Sequence, residues 1–252
     1  GTAASGDPVY VEDVFSTHLY NGNSGSQSIN NGIDLAGEGG LVWIKSREDA
    51  ADHALYDTER NSNNVIHSSS TAAEDNYTPL KNDTSNAFTS TGFDLNTATG
   101  ITNNDNYIYT SWTFRKQEGF FDVQTATLDS SGFAQFNHGL GSAPGMVLVK
   151  PRNFADDWYV YHKSLGTGKY LALNGSAAAA TFTAWGNVSA TTFDANIGFG
   201  SPSGKTVVAY FFADGNDSDA QIFGDDGDEA IIKTGSLTTD GNGDAEVTLG
   251  FE

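Results

Sequence analysis

"GLVWIKSR", residues 40–47, and "GMVLVKPR", residues 145–152, are the same phrase written twice: a glycine, four apolar residues, then Lys and Arg flanking one short residue. In an extended backbone successive side chains alternate, so Leu41 and Trp43 share one face while Val42 and Ile44 share the other. Apolar residues on both faces predict a central strand covered on two sides, with a core on one face and a neighbouring domain on the other as one arrangement. Lys45 and Arg47, like Lys150 and Arg152, stand where each strand leaves its sheet. They are expected to pair with Glu48 or Asp49 and with Asp156 or Asp157, a structural role, since exposed ion pairs are common and individually weak. Trp43 is replaced by Leu148 in the second copy, so any special role of its indole belongs to the first copy alone.

Working outward, residues 14–118 laid over 120–213 present the same signals in the same order. "VFSTHLYNGNSG" answers "FFDVQTATLDSSG", and the glycine turns "NNGIDLAGEGG" and "NHGLGSAPG" lead into the quoted strands. "DHALYDTER" then matches "DWYVYHKSL", and "NNVIHSS" matches "KYLALNG". Phe88 falls opposite Phe193, "TGFDL" opposite "IGFGS", and "YIYTSWTFR" opposite "TVVAYFFAD". After the acidic linker "FGDDGDE", residues 230–252 reproduce the opening hairpin and stop. The expected organisation is therefore a first repeat over 1–118, a second over 119–222, and over 223–252 an acidic linker with the truncated start of a third. With Gly1 at the start and Met146 as the only methionine, the chain reads as a fragment or a processed product.

Nearly every segment alternates with period two, is rich in Val, Ile, Tyr, Phe and Thr, and is bounded by Gly, Asn, Asp or Pro. The fold class predicted is all-β: tandem β-sandwich domains of jelly-roll-like type, about 100 residues per repeat. "SAAAATFTAWG", residues 176–186, is the best helical candidate by propensity, limited to one or two turns by its Thr and Gly residues.

Aromatic residues make up 12% of the chain, too many for a disordered one. A net charge of −20 repels phosphate backbones and argues against nucleic-acid binding. No apolar run approaches membrane-spanning length, so no membrane insertion is expected, and no targeting segment is visible. There is no cysteine, hence neither disulfides nor thiolate metal sites.

The chemistry sought is mostly missing. "GTGKY", residues 166–170, resembles the end of a phosphate loop, but Lys163 occupies the place of the first glycine and Tyr170 that of the hydroxyl residue. His18, His53, His67, His138 and His162 follow no metal-ligand spacing and are expected at turns or strand surfaces. Composition leaves a glycosidase carboxylate pair open. Trp43, Trp112, Trp158 and Trp185, which could line a sugar cleft, fall mostly on strand patterns that burial explains. "DGNDSD" at 214–219 and "DGNGDAE" at 240–246 have Asp/Asn oxygens around glycine as a Ca²⁺ loop does, but neither completes the twelve-residue pattern. Asn-x-Ser/Thr triplets such as Asn174-Gly175-Ser176 are expected by chance here. No catalytic, cofactor-binding or metal-ligating residue is assigned, no cofactor is expected, and the expectation is a protein that is not an enzyme.

The run from "VFSTHLYNGNSG" through "GGLVWIKSR", followed by "HALYDTER", "GFFDV", "NHGLGSAPGMVLVKPR", "DWYVYHKSLGTGKYLALN" and "FGDDGDEAIIKTGS", resembles the tandem domains of structural proteins of tailed, especially marine, bacteriophages. The resemblance covers nearly the whole chain. It implies a virion structural or adhesive protein, part of a tail fibre or similar appendage on the outside of the particle. Its partners would be other virion proteins and a host-surface glycan or receptor, and it would be a homo-oligomer, with a trimer the common form of such fibres. The resemblance brings no catalytic residues with it. Two other readings stand beside it: a carbohydrate-binding or polysaccharide-cleaving module, and a decoration protein attached to capsid or neck.

Overall fold

A computed structural model describes residues 8–81, 85–96, 99–182, 184–197 and 203–248. The chain's regular structure is almost entirely antiparallel sheet, as the alternating pattern requires. After one helical turn, Val11–Val14, come β1 (Phe15–Asn21), β2 (Gln27–Asn30), β3 (Gly40–Ser46), β4 (Ala54–Asp57), β5 (Asn61–Ile66), β6 (Phe88–Thr89), β7 (Gly92–Leu95) and β8 (Ile108–Arg115). They form a large sheet in the order β1-β8-β3-β4-β5 and a small one in the order β2-β7-β6. Val42 and Ile44 of β3 meet Ile29, Phe93 and Leu95 of the small sheet in the core between them. Gly40, at φ +155°, lets β3 begin against β8, where a Cβ would collide with the Phe114 carbonyl.

A second sandwich follows from β9 (Phe121–Thr127), β10 (Phe133–Asn137), β11 (Pro144–Pro151), β12 (Tyr159–His162), β13 (Lys169–Ala172), β14 (Ala180–Thr181), β15 (Trp185–Val188), β16 (Thr192–Asn196) and β17 (Thr206–Ala213). Its sheets run β9-β17-β11-β12-β13-β14 and β10-β16-β15. In both sandwiches the first strand lies beside the last and the second beside the penultimate, the wrapping of a jelly roll. The middle strands depart from it by continuing the large sheet as a meander. The penultimate strands correct the sequence alignment: Phe93 pairs with Ile29 and Phe193 with Phe136, so "GFD" of β7 corresponds to "TFD" of β16, and neither Phe88 nor "IGFGS" is the counterpart. Part of "IGFGS" lies outside the described residues. The Ala-rich stretch also differs from expectation. Ala180–Thr181 pairs with β13 and Trp185–Val188 with β16, because Trp185 is drawn into the core and donates to the Lys169 carbonyl at 2.9 Å.

The outer faces of the two large sheets pack on each other. Leu41, Leu55 and Ile66 from one side meet Phe121, Leu148, Trp158, Val160, Tyr210 and Phe212 from the other in a continuous buried cluster. This explains the two-sided strands: Val42 and Ile44 fill the first core and Leu41 the interface, while Val147 and Val149 fill the second core and Leu148 the interface. Each large apolar side chain buried there contributes about 1.5–3 kcal/mol.

Charged groups lock the same interface. The fully buried Asp57 carboxylate accepts from Arg60 Nε at 2.7 Å and, across the interface, from the Tyr210 hydroxyl at 2.7 Å. The other four N–H groups of the Arg60 guanidinium reach the Leu55 carbonyl, Tyr210, Glu74 and the Asn64 carbonyl. Glu74 in turn takes two bonds from Arg152 of the second sandwich, at 2.9 and 3.0 Å. Burial alone would raise the Glu74 carboxyl, but Arg152 and Arg60 outweigh it and hold the group below the ordinary carboxylate range.

Residues 67–75 form a strap that carries Glu74 across to the second sandwich. It is held to β5 by paired main-chain bonds between Val65 and Asp75, and its His67 carbonyl receives the Trp158 indole N–H at 2.9 Å. The Thr71 carbonyl receives the buried Lys150 ammonium, which also donates to the Asp156 carbonyl. Burial lowers Lys150 to about 8, with Asp156 and Asp157 pulling the other way. The expected ion pairs at the strand ends are therefore corrected. Lys45 and Lys150 bind main-chain carbonyls (Ser46 and Asp49; Thr71 and Asp156), Arg152 pairs with Glu74, and Arg47 is exposed. At Lys150 carbonyls are the acceptors because that strand end is buried under the strap; at Lys45, beside exposed residues 47–49, the turn carbonyls lie within reach of the ammonium.

Beyond Phe223 the chain folds back along the second sandwich: Ile232 packs over Gly215, and Thr234 donates to Asp214 at 3.0 Å. Residues 240–244 then repeat the turn of residues 129–133 bond for bond. Asp240 N donates to Asp244 O and Gly243 N to Asp240 O, as Asp129 N does to Phe133 O and Gly132 N to Asp129 O. The flanks of the Asp240 turn pair with no strand among the described residues, unlike those of its counterpart.

Since the interface carries buried charge, Arg60→Leu should cost about 3–5 kcal/mol by leaving Asp57 uncompensated. The measurement is urea unfolding, in which the wild type should give one transition for both sandwiches. The Lys150 pKa is depressed on folding, so between its folded value near 8 and the ordinary 10.5 the unfolded chain binds more protons. Wild-type stability measured against Lys150→Met should therefore rise by about 2 kcal/mol from pH 7.5 to 10.

Candidate functional site

Among the described residues two clefts stand out. One of about 610 Å³ lies between Tyr10–Glu12 and the returning segment 221–233, bridged by a hydrogen bond from the Tyr10 hydroxyl to Asp225. The other, about 410 Å³, lies where the sandwiches join, around Lys116 and Asp122. Its two central charges are paired, with Glu38 and Glu118 exposed on the rim: Lys116 bonds Glu59 at 2.8 Å and faces Asp122 at 3.3 Å, while Asp122 accepts from Gln124 and from the Val123 and Gly139 amides. No described helix is long and apolar enough to cross a membrane.

The residues singled out in the sequence are dispersed. No group of three or more His, Asp or Glu among the described residues is placed to hold a metal ion. His67 Nδ1 donates to the His53 carbonyl at 3.0 Å, and His162 Nδ1 accepts from the Ser164 amide. His138 corrects the expectation of a surface position: it is buried against Phe211, at 5.0 Å between ring centres, and burial lowers its pKa. "GTGKY" spans the turn into β13, with Lys163 paired to Asp214 and Tyr170 packed on Tyr159. Asp214, the first oxygen of "DGNDSD", is committed to Lys163, Asn216 and Thr234 and so serves as a structural anchor. Asn174 is likewise committed, accepting from the Trp158 amide and donating to Asp157.

The tryptophans divide into two pairs. Trp158 and Trp185 are fully buried with their indole N–H groups on main-chain carbonyls. Trp43 and Trp112 are half-buried neighbours across β3 and β8, edge to face at 6.3 Å, on the outer face of the first large sheet. Trp43 Nε1 donates to His53 Nδ1 at 2.9 Å, so the imidazole proton sits on Nε2. Burial first, and then the Lys45 ammonium, lower the His53 pKa and keep the ring neutral at pH 7. The Trp112 indole N–H meets no acceptor among the described residues. Thr17 pairs beside Trp112 and Thr110 beside Lys45, and Leu19, on the same face, is 57% exposed.

The two sandwiches use this face differently. By register, Leu148, Tyr210 and Trp158 of the second sandwich stand where Trp43, Trp112 and His53 stand in the first. The former are buried under the first sandwich and its strap. The first sandwich's counterparts are covered only in part: Trp43 packs against the edge of the same interface cluster, and Trp43, Trp112 and His53 are all half-buried. Residues 67–87 join β5 to β6 and carry the strap, whereas the matching link from β13 to β15 is only residues 173–184 with β14 inside it. The sequence showed four tryptophans on strand patterns. Which of them stay near solvent depends on loop length, and no local signal reports that.

No curated protein and no solved structure matches this chain. A family model described as a domain of unknown function, DUF7483, matches residues 11–219, which takes in both sandwiches, their joint and the Trp43–Trp112 face. The chain belongs to the DUF7483 family.

Proposed function

We propose that the chain is a non-enzymatic structural and adhesive module of a tailed-bacteriophage particle, part of a tail fibre or similar surface appendage. The observation that carries this reading is the ionic and aromatic joint between the sandwiches. Of the most strongly perturbed groups, Arg60, Tyr210 and Lys150 are spent inside that joint and Tyr20, Tyr56 and Tyr159 inside the two sandwich cores, and none of them lines either cleft. Strongly perturbed groups mark active sites when they face a cavity, and here they stiffen a body instead. A block whose two halves share one strand order, apart from the extra edge strand β14, suits serial extension. The hairpin around Asp240, with unpaired flanks, offers a place for a further β-element. A homo-oligomer, a trimer among the forms suggested by the resemblance, fits an appendage of this kind. The half-open Trp43–Trp112 face favours contact with host glycan as a second aspect of the same role.

Immunogold electron microscopy of the particles, using antibody raised against residues 11–219, should place label on external appendages. Label on the capsid or neck would move the module to a decoration role, and particles without label would overturn the reading.

A further inference from the structure

We infer that the outer face of β1, β8 and β3 in the first sandwich is a saccharide site, with Trp112 and Trp43 as the platform for one neutral hexose unit of a surface glycan. The inference deepens the adhesive reading and rests on it.

The internal comparison decides between a protein and a sugar as occupant. Where the second sandwich's face is covered by protein, Val123 and Val208 are both buried. Their counterparts in the first sandwich are Thr17 and Thr110, which pair on either side of the aromatic pair. Covering Thr17 and Thr110 with a dry sheet would strip water from two hydroxyls without return. A hydroxylated ring returns it, since its C–H face lies on an indole while its hydroxyls exchange bonds with the rim.

The donors are in place. The Trp112 N–H meets no acceptor among the described residues, and His53 presents Nε2–H because its Nδ1 is held by Trp43. That same bond fixes the Trp43 ring before any ligand arrives, which lowers the ordering cost of binding. Charge selects the ligand class, because a chain at −20 repels a polyanion and leaves a neutral sugar as the fitting partner. A single ring of this size binds at about millimolar strength, and repetition over an oligomer would supply avidity.

The test is ¹H–¹⁵N NMR of the whole chain titrated with methyl glucoside, methyl galactoside and methyl mannoside, with sialyllactose as the anionic comparison. At least one neutral glycoside should shift the Trp112 and Trp43 indole signals and leave those of Trp158 and Trp185 in place. Trp112→Ala should weaken that binding at least tenfold. Thr17→Val/Thr110→Val, which keeps both rings, should weaken it severalfold, so the site stays testable if the first variant folds poorly.

Silence of both signals up to about 100 mM glycoside, a concentration far above millimolar affinity, would overturn the inference. So would a stronger response to sialyllactose, or Trp112 shifts that depend on protein concentration alone and reveal a second copy as the occupant. Labelled particles with silent tryptophans would sink this inference and leave the appendage reading standing; sugar binding without particle label would do the reverse.

Discussion

The hydrogen bond from the Tyr210 hydroxyl to Asp57 is the fully buried centre of the polar joint between the two sandwiches. Around it, one guanidinium uses every donor it has, and Glu74 passes the charge on to Arg152. Such a joint is exacting: apolar packing tolerates a shift of an ångström, whereas a buried carboxylate left short of one donor does not. The register between the large sheets follows from this, and so does the placing of the strap, because Glu74 has to arrive between Arg60 and Arg152. Two stacked sheets with apolar outer faces could slide over one another. The buried charges select one position.

The two-sided strands at residues 40–47 and 145–152 made this architecture legible from the sequence. Apolar side chains on both faces mean a strand covered on both sides, and the second face found its cover in the other sandwich. The polar parts of the joint were hidden. "YDTER" reads as a strand end with exposed charges, and nothing local separates a buried Arg60 from an exposed Arg47. Lys150 reads as a strand terminus in the same way, because its burial is imposed by Thr71, some eighty residues earlier in the chain. The misplaced penultimate strand has a simpler cause: "IGFGS" and "TFD" both present a phenylalanine beside a turn, and only pairing with β10 distinguishes them.

The candidate face follows the same logic. The sequence set Trp43 apart because Leu148 replaces it in the second copy, but it grouped Trp112 with Trp158 and Trp185 on strand patterns that burial mostly explains. Burial on a sheet is decided by what lies over it. The strap covers the second sandwich, and the second sandwich sends none back, so the Trp43–Trp112 part of the first face stays half-buried where its counterpart is fully buried.

The docking of the returning segment has a mechanical consequence. Tension applied beyond residue 234 would enter the body at Thr234 and Ile232 and pass through Asp214 directly into the end of β17. β17 lies between β11 and β9 and is bonded to both along nearly its whole length, so the load would be shared by two ladders in shear instead of unzipping one bond at a time. From β11 the path continues through Arg152 and Glu74 into the first sandwich. A pull on one end of the molecule would thus be carried by its most heavily bonded strands.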